Sequence, residues 1–476
     1  MQAEHSHQKA AYFIIAVVMW EFFSYFGMQA LLILYLTHKL HMPDIQAYAI
    51  YGGFTSLIFV TPIIGGWLAD KYCGYRYAVI WGCLLIIAGH LSLGLNTKGL
   101  YIGLSFLILG IGLFKSNAIC LIAECYPHNQ TAKSAAFVWY YVSGNLGAVA
   151  SQLLCPYLAH HYDWQIGFMA AAGGMLMGLA TLIASPTYFH WYRSHLPQSN
   201  WLKLAKPTQT GISLSLIGLS FALVYMVLNK LWVGYLLVFV LLVSAWIFYS
   251  IYKQANETQR KSLILIVVLT GFATLFWIFD QQGSSSISLF IDRYIDRHIG
   301  NFTVPTGWFQ AINPGVILLT GGLMAWGWKA LGKRGIRPKP LFKLSIAMLL
   351  LALGFLLIAY GADQAYHYQF AAMTYPVLGL ALIGSAEVFV DPVLLACITD
   401  NAPPHSEGRL IAIYYLAVGA VANYLAAKVA DLTIDPDHVQ ATALAYHQAY
   451  MQILAVALFL FTLLVIALKS RKFLKM

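Results

Sequence analysis

The sequence is dominated by long runs of apolar residues, and these runs constrain the fold more than any other feature. A membrane span needs about 20 mostly apolar residues to cross a hydrocarbon core of roughly 30 Å. Backbone groups in lipid must hydrogen-bond within their own segment, and runs of this length without two-residue alternation are helices. The sequence therefore predicts an all-α polytopic membrane protein. The fourteen stretches that meet the requirement lie at about 11–37, 45–69, 77–96, 99–123, 134–159, 165–190, 210–229, 232–252, 262–291, 307–328, 342–361, 368–398, 409–430 and 443–468.

The charged residues support this prediction. Only 10% of the 476 residues are charged, whereas 60% are apolar, and the net charge is +10. Lys and Arg favour the cytoplasmic side of a membrane, and most of the 28 fall in connectors on that side when the N-terminus is placed inside. We therefore expect a multi-pass protein of the cell inner membrane with both termini cytoplasmic. Because topology explains the cations, no nucleic-acid partner is expected.

Two longer polar interruptions, at 191–209 and 253–261, bracket the seventh and eighth spans. Their spacing predicts an N-terminal six-helix bundle at 1–190, a linker with two additional spans at 191–261 and a C-terminal six-helix bundle at 262–476. Repeated halves are typical of transporters, in which the substrate site lies near the bilayer midplane.

Five Asp, Glu or Lys residues lie well inside the predicted spans, away from the span ends. An ionisable side chain at the bilayer centre costs about 2.5 to 3.5 kcal/mol on insertion scales, so it is expected to have a partner or a function. A carboxylate without a partner takes up a proton, which makes these groups candidate proton carriers. A static ion pair is the alternative for the lysine, and filling a backbone gap at a proline is the alternative for the last aspartate. The residues are Glu21, Lys115, Asp280, Glu387 and Asp391.

Further polar and aromatic residues are candidates to line a solute cavity, although packing explains the tyrosines equally well. Tyr25 shares a helix face with Glu21, and Asn313 and Gln281 lie where a helix can expose its backbone. The candidates are Tyr25, Tyr140, Tyr141, Asn145, Gln281 and Asn313. Motifs of metalloproteases, serine hydrolases and P-loop enzymes are absent from the sequence, and His160, His161 and Asp163 lie in a connector without metal-site spacing. We expect no enzymatic activity, no metal and no cofactor.

One connector resembles the signature loop between the second and third helices of the major facilitator superfamily. It spans residues 65–76, and the residues that carry the resemblance are Gly65, Gly66, Asp70, Gly74 and Arg76. Within that superfamily the chain resembles the proton-dependent oligopeptide transporters along nearly its whole length. The matching blocks are 20–28, 112–117, 137–147, 279–285, 310–314 and 385–392.

This resemblance implies the major facilitator fold, with 12 core helices in two six-helix halves and two additional helices, 14 in all. It implies import of di- or tripeptides by proton symport through alternating access, with the proton gradient as the energy source. A monomer is the default expectation. Glu21, Lys115, Asp280 and Glu387 would then couple protons to gating, and the residues 65–76 would act as a conformational loop. Substrate would contact Tyr25, Lys115, Tyr140, Tyr141, Asn145, Gln281, Asn313 and Glu387.

The first helix departs from the family pattern. The family motif Glu-x-x-Glu-Arg corresponds here to Val18, Glu21 and Phe22, so one carboxylate and one arginine are missing. Phenylalanine can neither donate hydrogen bonds nor carry charge. A transporter of the same fold for a non-peptide solute, with altered or absent proton coupling, is therefore the alternative. A membrane sensor or enzyme that binds without translocating is less favoured, because no soluble catalytic or signalling domain is evident.

Overall fold

The computed structural model describes residues 2–126, 129–184, 206–335, 338–434 and 441–469, and almost all regular structure in these ranges is helical. In chain order the helices are α1 (Gln2–Leu34), α2 (Asp44–Leu68), α3 (Gly74–Leu95), α4 (Leu100–Glu124), α5 (Gln130–His161), α6 (Trp164–Ala184), α7 (Lys206–Leu228), α8 (Lys230–Gln254), α9 (Glu257–Asp280), α10 (Ser286–Tyr294), α11 (Ile312–Lys333), α12 (Pro340–Tyr368), α13 (Thr374–Glu387), α14 (Asp391–Asn401), α15 (Glu407–Tyr415), α16 (Ala422–Ala430) and α17 (Ala443–Lys469).

Eleven helical stretches in the described ranges are long and apolar enough to cross a membrane. One of them, Asp44–Leu95, contains both α2 and α3. Helices α5 and α11 are also long, at 32 and 22 residues, but they carry more polar residues. Most of each predicted span is helical, although the twelfth span begins with a short strand, Ala371–Ala372, and 185–190 of the sixth span lies outside the described residues. The predicted all-α membrane fold is confirmed.

The first of two compact units comprises Met1–Tyr35 and Leu57–Lys230. Within it α3 packs along α4, and α1 packs along α5 and α6. Apolar side chains such as Leu31, Phe114 and Phe168 are fully buried between these helices. Helices in lipid associate through close van der Waals packing, because the lipid tails are as apolar as the side chains.

The second unit comprises Leu36–Ser56 and Leu231–Met476. Helix α12 packs along α13 and α17, and α9 packs along α16. Helix α9 begins with a capping box, in which Asn256 and Gln259 each bond to the other's backbone N–H. Four two-residue strands complete the unit. β1 (Ile295–Asp296) pairs in parallel with β4 (Ala371–Ala372), and β2 (His298–Ile299) pairs antiparallel with β3 (Phe302–Thr303).

The predicted signature connector is almost entirely helical. Helix α2 continues to Leu68, and a π-helical turn, Ala69–Cys73, leads directly into α3. Gly74 at this junction has a φ of 73°, a conformation that glycine adopts without steric cost. A Cβ atom on Gly65 would lie 2.1 Å from the carbonyl oxygen of Gly112, so the backbones of α2 and α4 touch there. The predicted close helix approach is therefore present.

The polar residues of this connector lie at its surface. Asp70 is exposed and Arg76 is half-buried, and a Cβ atom on Gly66 would lie 3.7 Å from the hydroxyl of Ser116 on α4. The hydroxyl of Tyr75 lies against the Asp70 carboxylate. The aspartate of the signature is thus held beside the start of α3.

Several helices are interrupted within the predicted spans. A 3-10 turn at Gln281–Ser284 separates α9 from α10, and residues 388–390 separate α13 from α14. A π-helical segment, Leu416–Val421, joins α15 to α16. Each break leaves backbone N–H and C=O groups without their helical hydrogen bonds. In a membrane, neighbouring protein groups must provide these hydrogen bonds instead. Asp280, Glu387 and Asp391 of the second unit lie at two of these breaks.

Candidate functional site

Glu21 is buried in the first unit without a hydrogen-bond partner. It lies midway along α1, its side chain is 1% exposed, and neither carboxylate oxygen is hydrogen-bonded within the described part of the chain. Lys115 on α4 and Cys83 on α3 are the ionisable groups that lie close enough to interact with it electrostatically. An unpaired buried carboxylate is costly, so this position is suited to a group that gains and loses a proton.

Lys115 is surrounded by aromatic rings. Its Nζ lies 5.8 Å from the ring centroid of Phe22, 5.3 Å from that of Tyr25 and 5.6 Å from that of Phe59. These distances are within the range of cation–π attraction. The predicted meeting of Glu21 and Lys115 is thus present as proximity, while the direct contacts of the ammonium are with ring faces.

The predicted substrate residues of the first unit lie on α1 and α5. Tyr25 is buried, whereas the Tyr141 side chain is 49% exposed. Phe22 packs edge-on against Tyr140, with 6.1 Å between ring centroids. Asn145 donates its side-chain amide to the backbone carbonyl of Tyr141 at 2.9 Å, which orients the amide along α5. The structure therefore packs Tyr140 against Phe22 and places the Tyr25 ring near the Lys115 ammonium.

In the second unit, Asp280 and Glu387 lie beside each other. Asp280 is the last residue of α9 and Glu387 is the last residue of α13, so both sit at helix breaks. Each carboxyl group interacts with the other, and Oδ1 of Asp280 has no hydrogen-bond partner among the described residues. Asn313 near the start of α11 donates its side-chain amide to Oε1 of Glu387. Three of the predicted residues are therefore brought together.

The two glutamines that follow Asp280, Gln281 and Gln282, differ in burial and in their contacts. Gln281 is half-buried, whereas Gln282 is fully buried. Gln282 donates its side-chain amide to the backbone carbonyls of Ile278 at 3.1 Å and Ala426 at 3.0 Å, and it accepts a hydrogen bond from Ser286. Gln282 therefore satisfies the break between α9 and α10, which leaves Gln281 as the glutamine available to a ligand.

A third carboxylate in this unit, that of Asp391, was a candidate proton carrier without an assigned role in coupling or substrate binding. Oδ1 of Asp391 accepts a hydrogen bond from Nε1 of Trp277 at 2.9 Å and another from the hydroxyl of Tyr414. Asp391 also lies close enough to act electrostatically on Asp280 and Glu387. Its position one turn after Glu387 was the sequence signal. Its side chain is held by two donors from other helices, which goes beyond filling a backbone gap at Pro392.

A further charged cluster contains residues that the sequence did not single out as candidates. Arg293 at the end of α10 forms two hydrogen bonds with Asp44 at the start of α2, at 2.6 and 2.7 Å. Asp44 also accepts the backbone N–H of Ala441 at 3.0 Å. Nearby, Nε2 of His38 lies 2.5 Å from Oδ2 of Asp292. Partners this distant in sequence carry no local motif that could have revealed them.

The structure therefore holds two polar centres, one in each unit. The first contains Glu21 and Lys115 with their aromatic neighbours, and the second contains Asp280, Glu387, Asn313 and Asp391. In both, carboxyl groups are buried where lipid and packed helices exclude water. Such groups can bind protons or the ammonium group of a solute.

Comparison with known proteins identifies relatives along nearly the whole chain. A family model described as the POT family matches residues 76–453. The chain is 28% identical over 446 residues to the peptide transporter YePEPT of Yersinia enterocolitica subsp. palearctica serotype O:3 (strain YE-P4), covering 87% of each chain. It is 26% identical over 451 residues to dipeptide and tripeptide permease A of Serratia proteamaculans (strain 568), covering 94% of this chain and 88% of that relative.

A solved structure shares the fold. The crystal structure of tetrameric PepTSo2 matches with a TM-score of 0.80 and 23% sequence identity, covering 96% of this chain and 97% of that chain. The expected transporter architecture is therefore confirmed over the whole described chain.

Proposed function

The chain belongs to the POT family, a family of transporters with the major facilitator fold and not of enzymes, and we propose that it imports di- and tripeptides by proton symport through alternating access. The substrate class is supported by two relatives, which are a peptide transporter and a dipeptide and tripeptide permease. The proton gradient is the proposed energy source, and the transporter needs no cofactor.

The observation that carries this proposal is the burial, in both units, of carboxyl groups that form no ion pair within the described residues. Glu21 has no hydrogen-bond partner in the described residues, and the Asp280 and Glu387 carboxyls lie beside each other. Two adjacent carboxylates repel, so a shared proton stabilises the pair. A ligand ammonium or a conformational change that alters this balance would move the proton, which is the chemical requirement of symport.

The proposed roles follow the chemistry of each group. Glu21, Lys115, Asp280 and Glu387 couple proton binding to gating. Lys115 binds the substrate carboxylate, because its ammonium is the cation of the first polar centre, and Glu387 with Asn313 binds the substrate ammonium group. The remaining substrate contacts are Tyr25, Tyr140, Tyr141, Asn145 and Gln281, and the conformational connector contains Gly65, Gly66, Asp70, Gly74 and Arg76.

The proposal also includes a membrane topology, a division into bundles and an assembly state. The cation distribution supports cytoplasmic termini and a cell inner membrane location. The six-plus-two-plus-six division at 1–190, 191–261 and 262–476 is part of the proposal, as is a monomeric transport unit. Since one structural relative is tetrameric, light scattering of the purified protein in detergent is the direct measurement of its assembly state.

The alternative is a transporter of the same fold for another solute, with altered or absent proton coupling. It is favoured by one specific observation, the replacement of the motif carboxylate and arginine by Val18 and Phe22. The two proposals differ in substrate and in energy source, so one transport assay distinguishes them.

The test is dipeptide uptake by the purified protein in proteoliposomes. An inward proton gradient should drive accumulation, a protonophore should abolish it, and Lys115→Ala should reduce uptake at least tenfold, since removing one partner of a buried charge contact costs about 2 to 5 kcal/mol. Lys261→Ala, which removes an exposed lysine of α9, is the matched control and should leave uptake unchanged. Accumulation that a protonophore does not affect would reject proton symport, and absence of dipeptide uptake would favour the alternative.

A further inference from the structure

Aromatic rings surround the Lys115 ammonium, and this affects the type of anion that it can bind. The ring centroids of Phe22, Tyr25 and Phe59 lie 5.3 to 5.8 Å from Nζ. Ring faces attract a cation but leave its charge unneutralised and its N–H donors available. A carboxylate entering this site would therefore gain a charge-assisted hydrogen bond.

Phe22 is fixed in this position by its neighbours. A Cβ atom on Gly144 of α5 would lie 2.7 Å from the Phe22 ring, so only glycine leaves room for the ring there. Tyr140 packs edge-on against the ring at an interplanar angle of 88°, and Phe26 lies at 5.6 Å between centroids. The ring cannot swing away without disturbing α1 and α5, so it is a permanent wall of the site.

The same surroundings disfavour a second negative charge on the ligand. Aromatic faces carry partial negative charge, and the buried carboxyl of Glu21 lies within the electrostatic range of Lys115. A ligand with two carboxylates would therefore place one of them against rings and near an acidic group, with a single lysine to balance both. An apolar side chain at the same place would instead pack on the rings.

We propose that Phe22 and Phe59 are specificity-determining residues, which make this transporter prefer peptides with one carboxylate and an apolar C-terminal side chain over peptides with an acidic C-terminal residue. This inference rests on the proposed function, because it concerns the peptide carboxylate that Lys115 binds. It also gives the replacement of arginine by Phe22 a role, since an arginine would supply a second cation to the site.

The test is the binding of three peptides to the full-length protein in detergent by titration calorimetry. The probes are alanyl-phenylalanine, alanyl-glutamate and alanyl-phenylalanine amide. We expect the protein to bind alanyl-phenylalanine at least about tenfold more tightly than alanyl-glutamate, since an unbalanced like charge costs more than this factor. The amide should bind weakly because it lacks the carboxylate.

Phe22→Arg should bring the ratio of the two affinities close to one by strengthening the binding of alanyl-glutamate. Phe22→Leu should weaken alanyl-phenylalanine binding about three- to tenfold, because the ring contacts are lost. This variant tests the specificity role of Phe22 if Phe22→Arg does not fold. Tyr12→Leu is the matched control on the same helix, and it should leave the ratio unchanged because the Tyr12 side chain is 59% exposed and lies ten residues before Phe22.

The outcomes separate the two proposals. If the unaltered protein binds alanyl-phenylalanine but the ratio is the same in the folded Phe22 variants, the specificity role is overturned and the proposed function stands. If the unaltered protein binds neither dipeptide, the proposed function fails and the specificity role fails with it.

Discussion

Single buried ionisable groups determine what this membrane protein can do. Glu21, Lys115, Asp280 and Glu387 could be predicted from sequence, because charged residues in apolar runs are rare and costly. Their contacts could not be predicted. That Phe59 faces Lys115, or that Trp277 bonds Asp391, depends on how each helix is rotated about its axis, and helices that are apolar all round do not encode that rotation in their hydropathy.

At this scale we predict that Glu21→Gln folds normally and loses proton-driven uptake. The carboxylate oxygens have no hydrogen-bond partner in the described chain, so a neutral amide removes a potential buried charge without breaking an observed bond. The thermal midpoint in detergent should stay equal or rise, while dipeptide accumulation no longer responds to a proton gradient and counterflow exchange of dipeptide continues.

Glu257→Gln provides the control for this variant. Glu257 lies at the start of α9, and its side chain is 90% exposed, so the substitution should change neither stability nor gradient-driven uptake. Retention of full gradient-driven accumulation by Glu21→Gln would show that this carboxyl carries no proton in the cycle.

At the scale of helices and turns, span positions were predictable because each needs a long apolar run. The breaks within the spans could not be predicted from the sequence. Residues 281–284 and 388–390 are too few to change the average hydropathy, and side chains such as Gln282 replace the lost backbone bonds. The buried carboxyl groups Asp280, Glu387 and Asp391 all lie at such breaks, so hydropathy resolves least well the elements that hold these groups.

The ion pair between the start of α2 and the end of α10 yields the prediction at this scale. The Asp44 side chain is 1% exposed and that of Arg293 is 15% exposed, so Asp44→Asn leaves a largely buried guanidinium without its carboxylate. Removing one partner of a buried pair costs about 3 to 5 kcal/mol. We expect the thermal midpoint in detergent to fall by several degrees, as followed by the loss of monodisperse elution after heating.

Lys261→Ala is the comparison, because it removes an exposed ion pair with Glu257. Such an ion pair stabilises a helix by about 0.3 to 0.5 kcal/mol at most. A midpoint for Asp44→Asn that equals that of Lys261→Ala would mean that the Asp44–Arg293 pair does not stabilise this part of the second unit.

At the scale of the whole molecule, composition and spacing predicted a polytopic helical transporter, and the resemblance of six sequence blocks predicted its family. The grouping of chain segments into the two compact units could not be predicted from the sequence. Residues 36–56 group with the C-terminal part of the chain, because ion pairs such as Asp44–Arg293 join positions about 250 residues apart. Long-range pairing of this kind leaves no periodic signal in the sequence.

The coupling of peptide to proton movement is measured most directly with a pH-sensitive dye inside proteoliposomes that contain the purified protein. With equal pH on both sides and the membrane potential clamped, adding a dipeptide outside should acidify the interior, and empty liposomes should show no change. Entry of radiolabelled dipeptide at a constant internal pH would contradict proton symport.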